Sequence, residues 1–427
     1  MLTKVKNGGT EGKSETARKG IVGIALTEMK SWLLERHALL LAPIMALALI
    51  IADPARAGCL EHPEDCSGLT FDAVYTGEIW GNLSGGIQTN HEYIDNLDMT
   101  MEVDMDKVAN IPGGTLFLYG LANSGSDFTG TTVGDSQTIS NIDAERALRL
   151  YEAWYEQNLF GDILSVKLGL MDLNAEFDVL ETASLFINGA HGIGLAFSQA
   201  GNLGPSIFPY TAAGARVHLN FTDALSWSTV AFDGVPGDPD HTHRTRIKFA
   251  HGDGALITTE MDYEPGDGTK FGAGFWHFTE PFDDLVSGSA VKHQDNSGFY
   301  LLGEFMPFRE DPDLALFARY GIANEDINQY EHYIGAGATY TGPFEGRDED
   351  QFGFAIGIAI NGDPYKTANS VTTDEEVNFE LTYHARVLPW LALQPDFQYV
   401  VNPGAGANGD LDNAVVVGMR FEITPFQ

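Results

Sequence analysis

Residues 97–106 read Leu-Asp-Met-Thr-Met-Glu-Val-Asp-Met-Asp, and this stretch decides the fold class. Every odd position is apolar, and every even position is polar or acidic. Because successive side chains of a β-strand point to opposite faces, the pattern predicts a strand with one apolar and one charged face. The apolar face of such a strand must be buried, either in a protein core or in lipid.

The same two-faced pattern recurs along the chain from residue 69 onward. The segments are about 8 to 14 residues long and are separated by Gly, Pro, Asn and Asp. We count about sixteen of them, beginning near Leu69, Leu97, Gly114, Arg146, Leu164, Ala213, Leu225, Ile247, Lys270, Gly298, Leu314, His332, Asp350, Glu376, Leu391 and Ala414. An even number of strands, with short turns alternating with longer polar loops, predicts a transmembrane antiparallel β-barrel of the outer membrane.

A soluble β-sandwich is the alternative, because its strands alternate in the same way. The length of the strand-rich region and the absence of a linker within it favour the barrel. Aromatic residues near the predicted strand ends are also typical of the interfacial belts of a barrel. They are Tyr75, Trp80, Trp276, Phe278, Trp390 and Tyr399. The last segment alternates from Val415 to Ile423 and is followed by Phe426.

Residues 1–57 are predicted to be absent from the mature protein. Lys30 and Arg36 precede an apolar run over residues 38–52, which is followed by Ala-Arg-Ala at 55–57. A basic head, an apolar core and an A-x-A site indicate a signal peptide, here cleaved after Ala57, with Met29 as the expected true start. An uncleaved membrane anchor is the alternative.

The remaining chain divides into a short segment, 58–68, and the predicted barrel, 69–427. The short segment contains the cysteines of the chain, Cys59 and Cys66. A disulfide between them is expected in an oxidising periplasm, with free or modified thiols as the alternative.

Charge excludes one class of partner. The whole chain has 24 basic and 60 acidic residues, and removal of residues 1–57 leaves 16 and 55, a net charge of −39. Such a surface is incompatible with nucleic-acid binding. The acidic loops are expected to bind divalent cations only loosely.

The alternation breaks down between Glu176 and Tyr210, where glycines and a short helix-like stretch replace it. Non-strand backbone in a membrane barrel must lie in an external loop or inside the lumen. We therefore predict an inward-folded constriction loop in this region.

The same region resembles a known family. Residues 169–178 read Gly-Leu-Met-Asp-Leu-Asn-Ala-Glu-Phe-Asp, residues 183–194 read Ala-Ser-Leu-Phe-Ile-Asn-Gly-Ala-His-Gly-Ile-Gly, and residues 204–209 read Gly-Pro-Ser-Ile-Phe-Pro. With Tyr-Thr-Gly-Glu-Ile-Trp-Gly-Asn-Leu-Ser-Gly-Gly at 75–86, these blocks are similar to the carbohydrate-selective outer-membrane porins of the OprB type. The resemblance implies a sixteen-stranded barrel whose narrowed channel carries basic, acidic and aromatic side chains that favour monosaccharides.

The polar faces of the strands are predicted to line the lumen, since a charge facing lipid near the midplane costs about 2–4 kcal/mol. This rule places five basic residues there: Lys167, Arg216, Arg319, Arg386 and Arg420. The carboxylates expected opposite them are Glu78, Glu102, Glu380 and Asp396. Arginine offers several fixed donors to sugar hydroxyls. The alternative is that these residues form salt bridges that only stiffen the wall.

Three further candidates are basic or aromatic. Arg149 and Trp154 belong to a strand whose two faces cannot be assigned, and Trp80 projects with Glu78 toward the pore. Either tryptophan could stack on a pyranose ring or belong to an interfacial belt.

Asp172, Asn174 and Glu176 lead into the constriction loop and are further candidates for solute binding. The alternative is that they cap its turns.

Catalytic motifs are absent from the sequence: it has no G-x-S-x-G, H-E-x-x-H, P-loop or paired C-x-x-C pattern. His241 and His243, with Asp238 and Asp240, have a metal-like composition but lie in a Pro/Gly-rich loop, so no metal and no cofactor is predicted. We predict a diffusion porin for small carbohydrates, not an enzyme. The alternatives are a general or anion-preferring porin for phosphate or organic acids and an outer-membrane barrel enzyme. Monomer and homo-oligomer both remain open.

Overall fold

The computed structural model describes residues 68–294, 296–308 and 313–424. The predicted signal peptide, its cleavage after Ala57, the disulfide between Cys59 and Cys66, and Phe426 lie outside the described residues.

Within this part of the chain, sixteen antiparallel strands close into a single barrel, as predicted, and a separate two-stranded hairpin lies in one loop. The barrel strands are β1 (Leu69–Ser84), β2 (His91–Asp104), β3 (Gly114–Asn123), β4 (Ala147–Leu159), β5 (Leu164–Met171), β6 (Ala212–Thr222), β7 (Leu225–Asp233), β8 (Ala255–Gly266), β9 (Thr269–Phe278), β12 (Ser297–Phe305), β13 (Leu314–Ala323), β14 (Tyr330–Thr341), β15 (Gln351–Asn361), β16 (Glu375–Leu388), β17 (Leu391–Val401) and β18 (Ala414–Ile423). The hairpin consists of β10 (Phe282–Asp284) and β11 (Gly288–His293).

The helices are short. They are α1 (Met105–Ala109), α2 (Gly189–Gly192), α3 (Leu195–Ser198) and α4 (Asp363–Asn369). Three single 3₁₀ turns span Leu173–Ala175, Thr182–Leu185 and Pro403–Gly406, and a π-type turn spans Thr129–Val133. No helix in the described part of the chain is long and apolar enough to cross a membrane.

The alternation that predicted the fold ends two residues early. β2 stops at Asp104, and the Asp104 carboxylate accepts hydrogen bonds from the backbone N–H groups of Asp106 and Lys107. An aspartate at this position satisfies donors that a helix leaves free at its first turn. Met105 and Asp106 therefore begin α1 and do not continue the strand.

Two predicted strand starts were wrong. The second strand begins at His91, not Leu97. The apolar pattern missed the first residues of β2 because Asp95 lies on the outward face and interrupts the pattern there. The hydroxyl of Tyr75 lies 3.0 Å from its carboxylate. The eighth strand begins at Ala255, and Ile247 instead lies in loop L4, residues 234–254.

The connections distinguish the two ends of the barrel. Tight turns at 160–163, 223–224, 267–268 and 389–390 lie at one end, and the long loops at 124–146, 172–211 and 234–254 lie at the other. In outer-membrane barrels the short turns face the periplasm and the long loops face outward.

An apolar core fills part of the lumen. Loop L3, residues 172–211, packs Phe177, Phe186 and Phe197 against inward-facing aromatic side chains of β9 to β14. The ring of Phe197 stacks on that of Trp276 with centroids 5.1 Å apart. The strands that line the cavity described below, β2, β3, β4 and β18, lie outside this group.

Two aromatic residues assigned to the interfacial belts, Trp276 and Phe278, were placed wrongly, because they point into the lumen and are buried under loops. The pattern could not reveal this, because a lumen plugged by an apolar loop accepts aromatic side chains as readily as lipid does. Trp80 also points into the lumen, in agreement with its projection beside Glu78 and not with the alternative of a belt.

Candidate functional site

Two loops fold into the lumen, and together they form the narrow part of the bore. Loop L3 was predicted from its broken alternation. Loop L2, residues 124–146, was not predicted. It reaches the wall at β17 and β18, where the Gln398 side chain donates to the Ile139 carbonyl at 2.8 Å and Arg420 contacts the side chain of Asn141 at 2.5 Å. L2 is polar and rich in Gly, Ser and Thr, so its sequence reads like an ordinary external loop.

Arg319 anchors L3 to the wall. Its guanidinium is 1% exposed and forms an ion pair with Asp178, with Nε 2.7 Å from Oδ1. It also donates to the backbone carbonyls of Asp178 and His191, each at 2.7 Å, and of Gly192 at 3.0 Å. Arg319 therefore faces inward, as predicted, but it is covered by the loop.

The unassigned faces of the fourth strand have a simple cause. The pairing of β3 with β4 shifts register between Tyr119 and Gly120, so that one residue of β4, Tyr151, has no partner. Such a bulge reverses which positions point inward on either side of it. Arg149 before the bulge and Glu152 and Trp154 after it consequently all face the lumen.

A polar cavity of about 580 Å³ lies between L2, L3 and the wall of β2, β3, β4 and β18. Among the predicted solute-binding residues, Asp172, Asn174 and Arg420 line it. The sequence did not single out Asp98, Tyr119, Tyr151, Asn96 and Asn141, which also line it.

The two tyrosines and two carboxylates form one connected wall of the cavity. The rings of Tyr119 and Tyr151 meet edge to face with centroids 4.9 Å apart. The Tyr119 hydroxyl donates to Asp98 at 2.7 Å, and the Tyr151 hydroxyl donates to Asp172 at 2.6 Å. Asp172 begins L3, and burial raises the pKa of its carboxyl to about 6. The remaining carboxylate lone pairs are acceptors available to a solute.

Arg420 contributes the cationic group of this cavity. Its Nε donates to Glu78 at 2.6 Å, and Glu78 is completely buried. Glu78 thus faces inward, as predicted, and its carboxylate neutralises the charge of Arg420. The cavity combines aromatic edges, amides and carboxylates with one paired cation.

A second predicted group lies on the wall beside the start of L3. Arg216 bonds Glu156 at 2.7 Å and Glu176 at 2.6 Å, and Lys167 pairs with the same two carboxylates. The Lys167 ammonium lies 3.9 Å from the ring centroid of Trp154. Two cations and two anions compensate each other here, which matches the alternative that these residues stiffen the wall.

The other predicted residues lie away from the cavity. Arg149 donates to the Pro209 carbonyl at 2.6 Å and so holds the end of L3. The indole N–H of Trp80 donates to Glu78 at 2.5 Å, and its ring packs over Gly418, where no side chain could fit. Arg386 lies at the rim near the 389–390 turn, with a side chain 41% exposed.

The histidine-rich stretch of L4 is an ion-pair cluster. The Asp238 carboxylate contacts His241 at 2.9 Å, Lys248 at 3.0 Å and Arg246 at 3.2 Å. The hydrogen bond from the Lys248 ammonium is the main cause that holds the pKa of Asp238 well below its usual range. In the described part of the chain, no group of three or more His, Cys, Asp or Glu side chains is arranged to hold a metal ion.

The fold and the cavity define a class of protein. A closed sixteen-strand barrel with outward-facing apolar side chains, narrowed by inward-folded loops around a polar cavity, is a diffusion porin of the outer membrane. The model of the carbohydrate-selective porin, OprB family matches residues 88–424. The chain belongs to this family, and it is an outer-membrane porin of the carbohydrate-selective type.

Individual relatives are similar over most of their length. The chain is 24% identical to Porin B of Pseudomonas aeruginosa over 403 residues, which cover 83% of this chain and 87% of that protein. It is 22% identical over 409 residues to the putative porin QuiX of Acinetobacter baylyi, with coverage of 83% and 89%. The high-pH structure of Pseudomonas putida OprB has the same fold, with a TM-score of 0.76, 21% identity and coverage of 87% and 96%.

Proposed function

We propose that this porin passes monosaccharide-sized carbohydrates through the cavity between L2 and L3. The main support for this proposal is that the cavity is lined by aromatic, acidic and basic side chains together, among them Tyr119, Asp98, Asp172 and Arg420. A pyranose presents apolar C–H faces and a ring of hydroxyls, which suit aromatic edges and paired donors and acceptors, respectively. The contacts must also remain weak enough to release the solute.

The charge of the cavity supports sugars over anions. Its one arginine is ion-paired with buried Glu78, whereas Asp98, Asp143 and Asp172 present three acidic groups. A phosphate or organic acid in this space would meet like charges and no unpaired cation, which disfavours it. The anion-preferring porin therefore becomes the second candidate, and a channel without enzymatic activity remains our expectation from the sequence.

The proposal is tested by sugar titration in planar bilayers. Asp98→Asn and Asp172→Asn should each weaken block of the ion current by glucose by about 5-fold or more, since a charged acceptor in a partly desolvated site contributes about 1–3 kcal/mol. Asp72→Asn is the matched control, because Asp72 is an exposed carboxylate on the inner face of β1.

The competing function predicts a different result. If both cavity variants left glucose block unchanged and increased the permeability to phosphate or chloride, the anion porin would replace the sugar porin.

A further inference from the structure

Buried glutamates on the inner wall accept hydrogen bonds from the backbone of L3. The two carboxylate oxygens of Glu380 accept from the N–H groups of Ile187 at 2.6 Å and Asn188 at 3.0 Å. The two oxygens of Glu304 accept from those of Glu181 at 3.1 Å and Thr182 at 2.7 Å. Two carboxylates from β16 and β12 thus each bind a pair of successive amides.

L2 is held in the same way. Glu376, another residue of β16, accepts from the N–H groups of Ser136 at 2.9 Å and Gln137 at 3.0 Å. It also accepts at 2.5 Å from Gly404 of loop L8, residues 402–413. One carboxylate therefore joins two loops to the wall.

These contacts are dry. Glu376 and Glu380 are completely buried, and Glu304 is 6% exposed. A buried carboxylate is costly unless its lone pairs are satisfied, and a buried backbone N–H is equally costly without an acceptor. We call each such carboxyl group, together with the backbone N–H groups whose hydrogen bonds it accepts, a clamp. Each clamp satisfies both requirements together, which a neutral apolar side chain in the same place could not do.

None of the three glutamates lines the cavity. We propose that Glu304, Glu376 and Glu380 are positioning residues that fix the bore: both oxygens of each carboxyl group accept hydrogen bonds from backbone N–H groups and so hold L2 and L3 in place, and they thereby set conductance and sugar selectivity without touching the solute. This deepens the proposed function and depends on it for the sugar readout alone. It also gives part of the strong acidity of the chain a specific role.

The isosteric amide discriminates between a clamp and a space-filling side chain. Glutamine has nearly the same shape, but one of its two terminal atoms is an N–H₂ donor, which would face a backbone N–H donor. Glu304→Gln and Glu380→Gln should therefore release one amide of their pairs. Glu304→Asp, which keeps the acceptor-only group, should stay closer to the parent protein than Glu304→Gln.

The experiment measures single-channel conductance and glucose block of the full chain in planar bilayers, together with heat-modifiable migration as a readout of the intact barrel. Glu102→Gln is the matched control, since Glu102 is an exposed glutamate of β2. We expect the double variant Glu304→Gln/Glu380→Gln to raise conductance about twofold and the half-blocking glucose concentration about tenfold, with the barrel intact.

Unchanged conductance and block in folded Glu304→Gln and Glu380→Gln would overturn the proposal. Loss of the barrel in Glu304→Gln alone would also overturn it, because the carboxylate would then support the wall and not the loop. If the parent protein showed no glucose block, the sugar function would fail, while the conductance comparison would still decide whether the clamps set the bore.

Discussion

Replacement of Arg319 by Met should free L3 from the wall while leaving the barrel closed. The Arg319 side chain is 1% exposed, and its Nε lies 2.7 Å from Asp178, whose side chain is also 1% exposed. Removal of one partner of a buried ion pair leaves the other charge uncompensated and costs about 3–5 kcal/mol. The variant also leaves the carbonyls of His191 and Gly192 without their donor.

The ionisation of Asp178 sharpens this expectation. Burial already raises the pKa of Asp178, and the nearby Arg319 opposes that rise. In the Arg319→Met variant the pKa must rise further, and the carboxyl should become neutral or drive L3 out of the lumen. Asp178→Asn added to Arg319→Met should therefore recover part of the loss, as coupled neighbours do in a double-mutant cycle.

The assay combines limited proteolysis of L3 in the folded protein with single-channel conductance. We expect faster cleavage within L3 and a larger, noisier conductance for Arg319→Met, with both effects smaller in the double variant. Arg386→Met, at the exposed rim, is the control. If the Arg319→Met variant were cleaved within L3 at the same rate as the parent protein and had the same conductance, the role of Arg319 as a loop anchor would be refuted.

Three further predictions concern Arg386, His191 and the N-terminal region of the mature chain. Arg386→Ala should change the half-blocking glucose concentration by less than about fivefold, as exposed ion pairs contribute about 0–1 kcal/mol. A tenfold loss in the same titration would instead show that Arg386 contacts the solute. Burial lowers the pKa of His191 to about 3 from 6.5, so the contribution of neutral His191 to the stability of the folded-in loop is fully present above pH 6.5 and is lost as the pH drops toward 3. His191→Phe should lessen the increase in L3 cleavage between pH 7 and pH 5, and identical pH profiles would rule this out. Mass spectrometry of the membrane-purified protein should find a mature chain that begins at Gly58, and retention of residues 1–57 would contradict the predicted cleavage. Cys59 and Cys66 should be alkylated only after reduction, and alkylation without reductant would contradict the predicted disulfide.

The barrel could be predicted from the sequence because its strands repeat one local rule. Alternation with a period of two identifies the lipid-facing and lumen-facing positions directly, so the inward orientation of Glu78, Lys167 and Arg420 was readable from their neighbours. The rule failed at Asp95 and Tyr151. Asp95 is a carboxylate on the outer face that accepts a hydrogen bond from a tyrosine hydroxyl. At Tyr151, a β-bulge reverses which positions of the strand face the lumen.

The site was harder to predict because it depends on loops. Asp172 and Asn174 were found through their place at the start of L3, whereas Asp98 and Tyr119 looked like ordinary strand positions. No local pattern marks L2 as inward-folded, since its contacts with Glu376 and Gln398 join residues far apart in the chain. The same distance hid the role of Arg319, which the sequence placed in the lumen without the loop that covers it.

The proposed function requires the cavity between L2 and L3 to bind and pass sugars. Its most direct test is the conductance of the unmodified protein in a planar bilayer during titration with glucose, with phosphate titrated in parallel. We expect a saturable decrease in ion current with glucose and no comparable block by phosphate. A current unaffected by glucose, together with a marked preference for phosphate or chloride, would contradict it.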